Sequence, residues 1–91
     1  DYERSKKFYT EILGFQPIRE VYRAERQSYK LDLALNDTYL IELFSFPDPP
    51  QRVSRPEAAG LRHLAFAVAD IEKEVQTLAN LGIKAEPIRV D

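Results

Sequence analysis

The sequence contains no cysteine, no methionine and no tryptophan, and a single histidine. Without cysteine there can be no disulfide framework, no Cys-ligated zinc and no protein thiol nucleophile. The absence of Cys is compatible with a reducing, cytoplasmic location. No apolar run approaches the roughly 20 residues of a membrane span, and no secretory signal pattern is visible. There is no excess of positive charge: 13 Lys+Arg face 15 Asp+Glu, for a net charge of −2. With a pI of about 5.4, non-specific binding to nucleic acid or to an anionic membrane is disfavoured. No Gly-rich phosphate loop, no Ser-His-Asp arrangement and no nucleic-acid-binding signature is found. The chain opens at Asp1, where a helix begins, and has no initiator Met. It reads as a fragment.

What remains is globular in composition. Of 91 residues, 44% are hydrophobic, 11% aromatic and 31% charged, too apolar for a disordered chain. The length fits one small domain or part of a larger one.

Hydrophobic periodicity divides the chain into elements. Tyr2, Ser5, Phe8, Tyr9, Ile12 and Leu13 recur at helical spacing, so residues 1–13 are expected as a helix capped by Asp1 and closed by Gly14. Residues 15–23 read as a strand. Residues 28–35 alternate: Tyr29, Leu31, Leu33 and Leu35 share one face, Ser28, Lys30, Asp32 and Ala34 the other. Asn36-Asp37 signals a turn, and residues 38–46 complete a hairpin. Five residues of 47–60, Pro47, Pro49, Pro50, Pro56 and Gly60, oppose helix and central strand, so this segment reads as a linker. Residues 61–69 are expected as a strand, then a helix capped by Asp70 with Ile71, Val75, Leu78 and Leu81 on its apolar face, then Gly82 and a strand over 83–90.

The order hides a repeat. An aspartate cap, a helix and Leu13-Gly14-Phe15 correspond to an aspartate cap, a helix and Leu81-Gly82-Ile83. If the units are equivalent, each is strand–helix–strand–strand–strand. Residues 1–46 would be a first module lacking its opening strand, and residues 61–91 a second module lacking its closing strands.

Two polar residues interrupt strands that otherwise read as sheet core. Glu42 lies in Tyr39-Leu40-Ile41-Glu42-Leu43-Phe44-Ser45-Phe46, and His63 in Leu61-Arg62-His63-Leu64-Ala65-Phe66-Ala67-Val68. Simple alternation puts Glu42 with Leu40, Phe44 and Phe46, away from Tyr39, Ile41 and Leu43. His63 falls beside Ala65 and Ala67, which leave space next to the imidazole. A carboxylate is costly to bury uncompensated, and a metal ion would compensate both groups. Carboxylate and imidazole are ordinary ligands for Zn, Ni, Fe and Mn, though a tight site needs at least one more ligand. The alternative is a solvated Glu42 and a hydrogen-bonded structural His63. Lys30 and Asp32 share a strand face that reads as solvated. Arg52, Arg55 and Arg62 could hold an anionic substrate or decorate a solvated loop.

Three segments carry a family resemblance. Asp1-Tyr2-Glu3-Arg4-Ser5-Lys6-Lys7-Phe8-Tyr9-Thr10-Glu11-Ile12-Leu13-Gly14-Phe15 resembles the first helix of the vicinal oxygen chelate superfamily, the glyoxalase I-like and bleomycin resistance-like proteins. Leu61 to Ile71 resembles the strand opening that family's second module, and Ile41-Glu42-Leu43-Phe44 the strand closing its first. The likeness covers nearly the whole chain and is closest to the short stand-alone bacterial members. It implies an α+β fold of paired βαβββ modules, here missing the first strand and the last hairpin, curved around one divalent metal. By position Glu42 and His63 match two of the four family ligands. The other two, usually a His and a Glu, lie on strands outside this sequence.

The resemblance further implies a small-molecule substrate that offers two neighbouring oxygens to the metal, and a homodimer. In glyoxalase I-like lyases and isomerases a glutamate ligand moves the proton, which makes Glu42 a candidate catalytic base. A metal-dependent dioxygenase, a thiol transferase and a non-enzymatic binder are the other functions the same scaffold implies.

Overall fold

A computed structural model of the chain describes residues 1–90. Asp91, at the end of the expected second module, lies outside the described residues. The chain forms two compact units, Asp1–Gln51 and a second beginning at Arg52. The boundary falls within the proline-rich segment, where residues 47–60 contain neither helix nor strand.

In the first unit a helix, α1 (Tyr2–Lys7), runs on as a π-helical stretch over Phe8–Ile12. Three antiparallel strands come next: β1 (Gln16–Arg23), β2 (Ser28–Leu35) and β3 (Thr38–Phe44), in the order β1-β2-β3. A single 3-10 turn, Ala24–Arg26, with Gln27 at φ 49°, joins β1 to β2. The β2–β3 connection is a two-residue hairpin: Leu35 pairs Thr38, and Asn36 and Asp37 have φ of 50° and 64°. Positive φ at both central residues matches the twist of antiparallel strands, and Asn and Asp tolerate it best after glycine.

Leu31 and Leu33 of β2 build the core on the expected face, although Tyr29 at one end of that face is exposed and Ser28 and Ala34 on the other face are buried. Leu31 and Leu33 are 1% and 0% exposed and cluster with Phe15, flanked by Tyr2, Tyr9, Leu13, Leu35, Ile41 and Leu43. The helix therefore covers the Tyr29–Leu31–Leu33–Leu35 face. Phe8 departs from the expected helical stripe and is 39% exposed. The departure coincides with the change of winding: Leu13 N–H donates to Phe8 C=O, an i→i+5 bond that widens the turn.

Both aspartate caps form. Asp1 Oδ1 accepts from Arg4 N–H and Asp70 Oδ1 from Lys73 N–H, each at 3.1 Å. The second unit holds α2 (Ile71–Asn80), which ends in a Schellman motif. Ile83 N–H donates to Leu78 C=O at 2.9 Å and Gly82 N–H to Ala79 C=O at 3.0 Å, with Gly82 at φ 83°. The first helix ends the same way with one residue more. Phe15 N–H donates to Tyr9 C=O at 2.8 Å across Gly14 at φ 78°. The π winding accounts for the extra residue.

The strands expected over 61–69 and 83–90 are a correction. Neither segment joins a sheet ladder among the described residues. Leu61, Leu64, Phe66, Val68 and Ile88 stay substantially exposed. A strand exists only through a hydrogen-bonded neighbour, and these two segments do not pair with each other. Among the described residues of this unit only Val75, Leu78, Ile83 and Ala85 are even half-buried.

α1 is tied to the sheet by an ionic knot. Tyr2 Oη donates to Glu20 Oε2 at 2.6 Å, and Lys6 Nζ donates to both Glu20 oxygens at 3.0 and 2.9 Å. Tyr2 also stacks on Tyr29, ring centroids 5.6 Å apart. The hydrogen bonds from Tyr2 and Lys6 hold the Glu20 carboxyl below its usual range. Burial, then the bond to Glu20, pushes the Tyr2 phenol up. The bond to Glu20 also raises Lys6.

A depressed carboxyl contributes stability above its ordinary pKa and loses it as pH falls through the lowered value. The raised Lys6 and Tyr2 contribute fully below their ordinary pKa values and lose the contribution as pH rises through the raised ones. Urea midpoints measured across pH should therefore fall at both extremes, and Glu20→Gln should flatten the acid limb. The buried leucines contribute more than this surface knot. Leu33→Ala should cost about 2–5 kcal/mol in urea unfolding, whereas Leu40→Ala, at a half-exposed position, should cost far less.

Candidate functional site

The sheet face turned away from α1 carries charge instead of leucine. Register brings these residues into rows. Arg19 pairs Asp32, which pairs Glu42; Val21 pairs Lys30, which pairs Phe44; Arg23 pairs Ser28. Three cations and two anions thus meet on a surface that the sequence distributes over twenty-four positions, from Arg19 to Glu42.

Two irregularities build the rows. Ile18 has no partner between the Pro17–Leu33 and Arg19–Asp32 pairs, and Leu40 has none between Leu33–Ile41 and Ala34–Tyr39. Each is a β-bulge, one extra residue that resets the alternation beyond it. Tyr39 is the consequence and a second correction. Simple alternation sets it on the face opposite Glu42, but with the bulge Tyr39 and Leu40 together oppose Ala34. Asp32, Tyr39, Leu40, Ile41 and Glu42 line one depression of about 220 Å³.

Lys30 sits between the acids. Its Nζ is 3.3 Å from Asp32 Oδ1 and 3.7 Å from Glu42 Oε1. Asp32 Oδ1 is shielded from solvent and lacks a hydrogen bond of good geometry, so the ion pair with Lys30 is its compensation. The Lys30–Asp32 face that reads as solvated in the sequence is thus partly buried, with the Asp32 side chain only 17% exposed. Glu42 is open, its side chain 59% exposed.

Beside this cluster the Arg23 guanidinium lies over the Phe44 ring, 5.4 Å from its centroid, and Phe44 stacks on Phe46 at 6.2 Å. Arg23 Nε is buried without a hydrogen bond; stacking on Phe44 offsets part of that cost. A further hollow of about 230 Å³ is lined by Asp1, Tyr2, Phe44, Ser45, Phe46 and Pro49. Another, about 630 Å³, runs along the helix among Glu3, Arg4, Lys6, Lys7, Thr10 and Glu11, and includes none of the sheet's charged residues.

His63 belongs to the second unit. It is exposed, and its imidazole makes no hydrogen bond or ion pair among the described residues. Two of the neighbouring arginines act on the chain itself. Arg52 Nη2 donates to Arg62 C=O at 3.0 Å, and Arg62 Nη2 to Ser54 C=O at 3.4 Å. Prolines supply no N–H donors to such carbonyls, so guanidinium groups take that place. Arg55 only approaches Glu57, at 3.9 Å on the surface. Among the described residues no three His, Asp or Glu side chains gather as a ready metal cage.

Two side chains, one in each unit, carry donor atoms of the kinds a divalent ion takes. Glu42 offers an open carboxylate with only a loose ionic contact, and His63 an imidazole with both nitrogens unengaged. The sequence alone marks both as candidate donors. Alternation already places Phe44 on the Glu42 face, but Arg23 and Tyr39 come there only through register and the bulge at Leu40.

A three-stranded antiparallel sheet with one face covered by a capped helix and the other charged is an α+β module of glyoxalase type. Comparison places it: the chain belongs to the Glyoxalase/Bleomycin resistance protein/Dioxygenase superfamily, matched over residues 1–91. It is 67% identical over its full length to the uncharacterized protein YwkD of Bacillus subtilis (strain 168), spanning 71% of that protein. It is 62% identical to the uncharacterized protein YaeR of Escherichia coli (strain K12), spanning 70% of it. Two solved structures are similar throughout the chain. One is the glyoxalase family protein from Enterococcus faecalis (TM-score 0.88, 48% identity, 71% of that chain covered). The other is SMU.1112c (TM-score 0.87, 47% identity, 74% covered).

Proposed function

We propose that this protein is a metal-dependent lyase or isomerase of glyoxalase I type, acting on a small substrate with two neighbouring oxygens. The observation that carries the reading is Glu42: an open carboxylate on the charged sheet face of a member of this superfamily, at the edge of a depression. Glu42 and His63 would each supply one ligand to a divalent ion, with further ligands from outside these 91 residues. A bound divalent ion supplies Lewis acidity toward adjacent substrate oxygens.

The rest of the reading concerns the chain's own groups. The Glu42 carboxylate can take a proton from one substrate carbon and return it to the next, as general base and then acid. Lys30 reaches toward it from the neighbouring strand, its ammonium 3.7 Å from Glu42 Oε1. Tyr39 and Leu40 line the depression beside the carboxylate. The protein would act as a homodimer, which also fits the exposed apolar residues of the second unit.

Glu42→Gln and His63→Gln should each weaken binding of Ni²⁺ or Zn²⁺ by at least about a hundredfold in calorimetric titration. Glu42→Gln should also abolish conversion of a thiol hemithioacetal. Turnover by Glu42→Gln at the parent rate would defeat the isomerase reading. Oxygen uptake with bound Fe or Mn would point to a dioxygenase, dependence on a thiol co-substrate to a transferase, and ligand binding insensitive to chelator to a non-enzymatic binder.

A further inference from the structure

We infer that Lys30 is a built-in counter-cation of this site, anchored by Asp32, which sets how strongly Glu42 attracts a divalent ion. The inference rests on Glu42 being a metal ligand and adds two residues that tune it.

Two carboxylates stand directly opposite each other on adjacent strands, Asp32 against Glu42. Like charges in that position repel. The Lys30 ammonium relieves the repulsion by standing within 3.3 Å of one and 3.7 Å of the other. Exposure rises along the cluster, from 17% at Asp32 through 30% at Lys30 to 59% at Glu42. The lysine is therefore anchored at the shielded end and reaches toward the open one. Asp32 Oδ1 lacks a hydrogen bond of its own, so its hold on Lys30 is its compensation.

The charge arithmetic gives opposite signs for the two neighbours. Asp32, Glu42 and Lys30 together carry a net −1, on a face to which Arg19 and Arg23 add two positive charges. A divalent ion at Glu42 then sits close to a positive charge, which opposes binding. Without the Lys30 charge, two carboxylates face the ion and binding tightens. Without the Asp32 charge, Lys30 pairs with Glu42 alone and binding weakens. The flexible four-carbon stem of lysine lets the ammonium withdraw toward Asp32 when an ion arrives.

The test is calorimetric titration of the full-length, folded protein with Ni²⁺ alone, at low and high salt. Lys30→Met should tighten binding by about tenfold at low salt, with the gain shrinking as salt screens the charge. Asp32→Asn, nearly isosteric, should weaken it by a similar factor. Lys30→Arg keeps the charge and should stay close to the parent. If Lys30→Met fails to fold, Lys30→Gln provides the same reading. A merely structural role would move Lys30→Met and Asp32→Asn in the same direction and leave both insensitive to salt; that result, or no change in either, overturns the inference. Glu42→Gln serves as the separate control. Unchanged affinity there would sink the ligand assignment itself, while lost affinity with unresponsive Lys30 and Asp32 variants would sink only the counter-cation.

Discussion

β2 is the strand on which the rest of the first unit depends. It is hydrogen-bonded on both edges, to β1 and to β3, and its faces have opposite chemistry. Leu31 and Leu33 vanish into the core beneath the helix, while Lys30 and Asp32 look the other way. Because the side-chain period of a strand is two residues, the register cannot slip by one without exposing the leucines and burying the charges. The burial of two leucines therefore fixes where two charged residues stand, and through them where Glu42 stands. The same constraint that stabilises the module positions its chemistry.

The bulges refine that arrangement. A regular hairpin running from Asn36-Asp37 would keep strict alternation to the end of β3. The extra residue at Leu40 places Tyr39 beside the depression that Glu42 lines, and the extra residue at Ile18 sets Arg19 against Asp32. The outcome is a face on which like charges meet with an ammonium between them, next to an arginine lying over an aromatic ring. Such a face is expensive to leave without compensation, and its ion pairs hold it together without filling it. The knot of Tyr2, Glu20 and Lys6 lies on the opposite, helix-covered side and is structural in character.

The two units share their punctuation. Each helix starts on an aspartate that caps a backbone N–H three residues on, and each leaves through Leu-Gly with the glycine left-handed. The first helix takes one extra residue to do so and absorbs it as π winding. Beyond the glycines the two units diverge. The first closes into three paired strands, whereas the described residues of the second join no sheet and leave apolar side chains exposed. Membership of the glyoxalase superfamily gives that asymmetry a context, since the solved relatives are longer than this chain.

The sequence by itself determined what depends on near neighbours. The caps at Asp1 and Asp70, the left-handed turn at Asn36-Asp37, the glycine exits and the two faces of β2 all arise from residues within a turn or two of each other. Their energetics are local, so their pattern is readable. The choice of Glu42 and His63 as candidate donors was legible for a similar reason, a polar group breaking an apolar run. Tertiary structure alone decided the rest. Strand pairing over 61–69 and 83–90 depends on partners, which no local pattern can supply. The bulge at Leu40, the place of Tyr39, and the meeting of Asp32, Lys30 and Glu42 depend on how one strand registers against another. That is a non-local property, and it turned two residues of an apparently solvated face into the immediate surroundings of the candidate site.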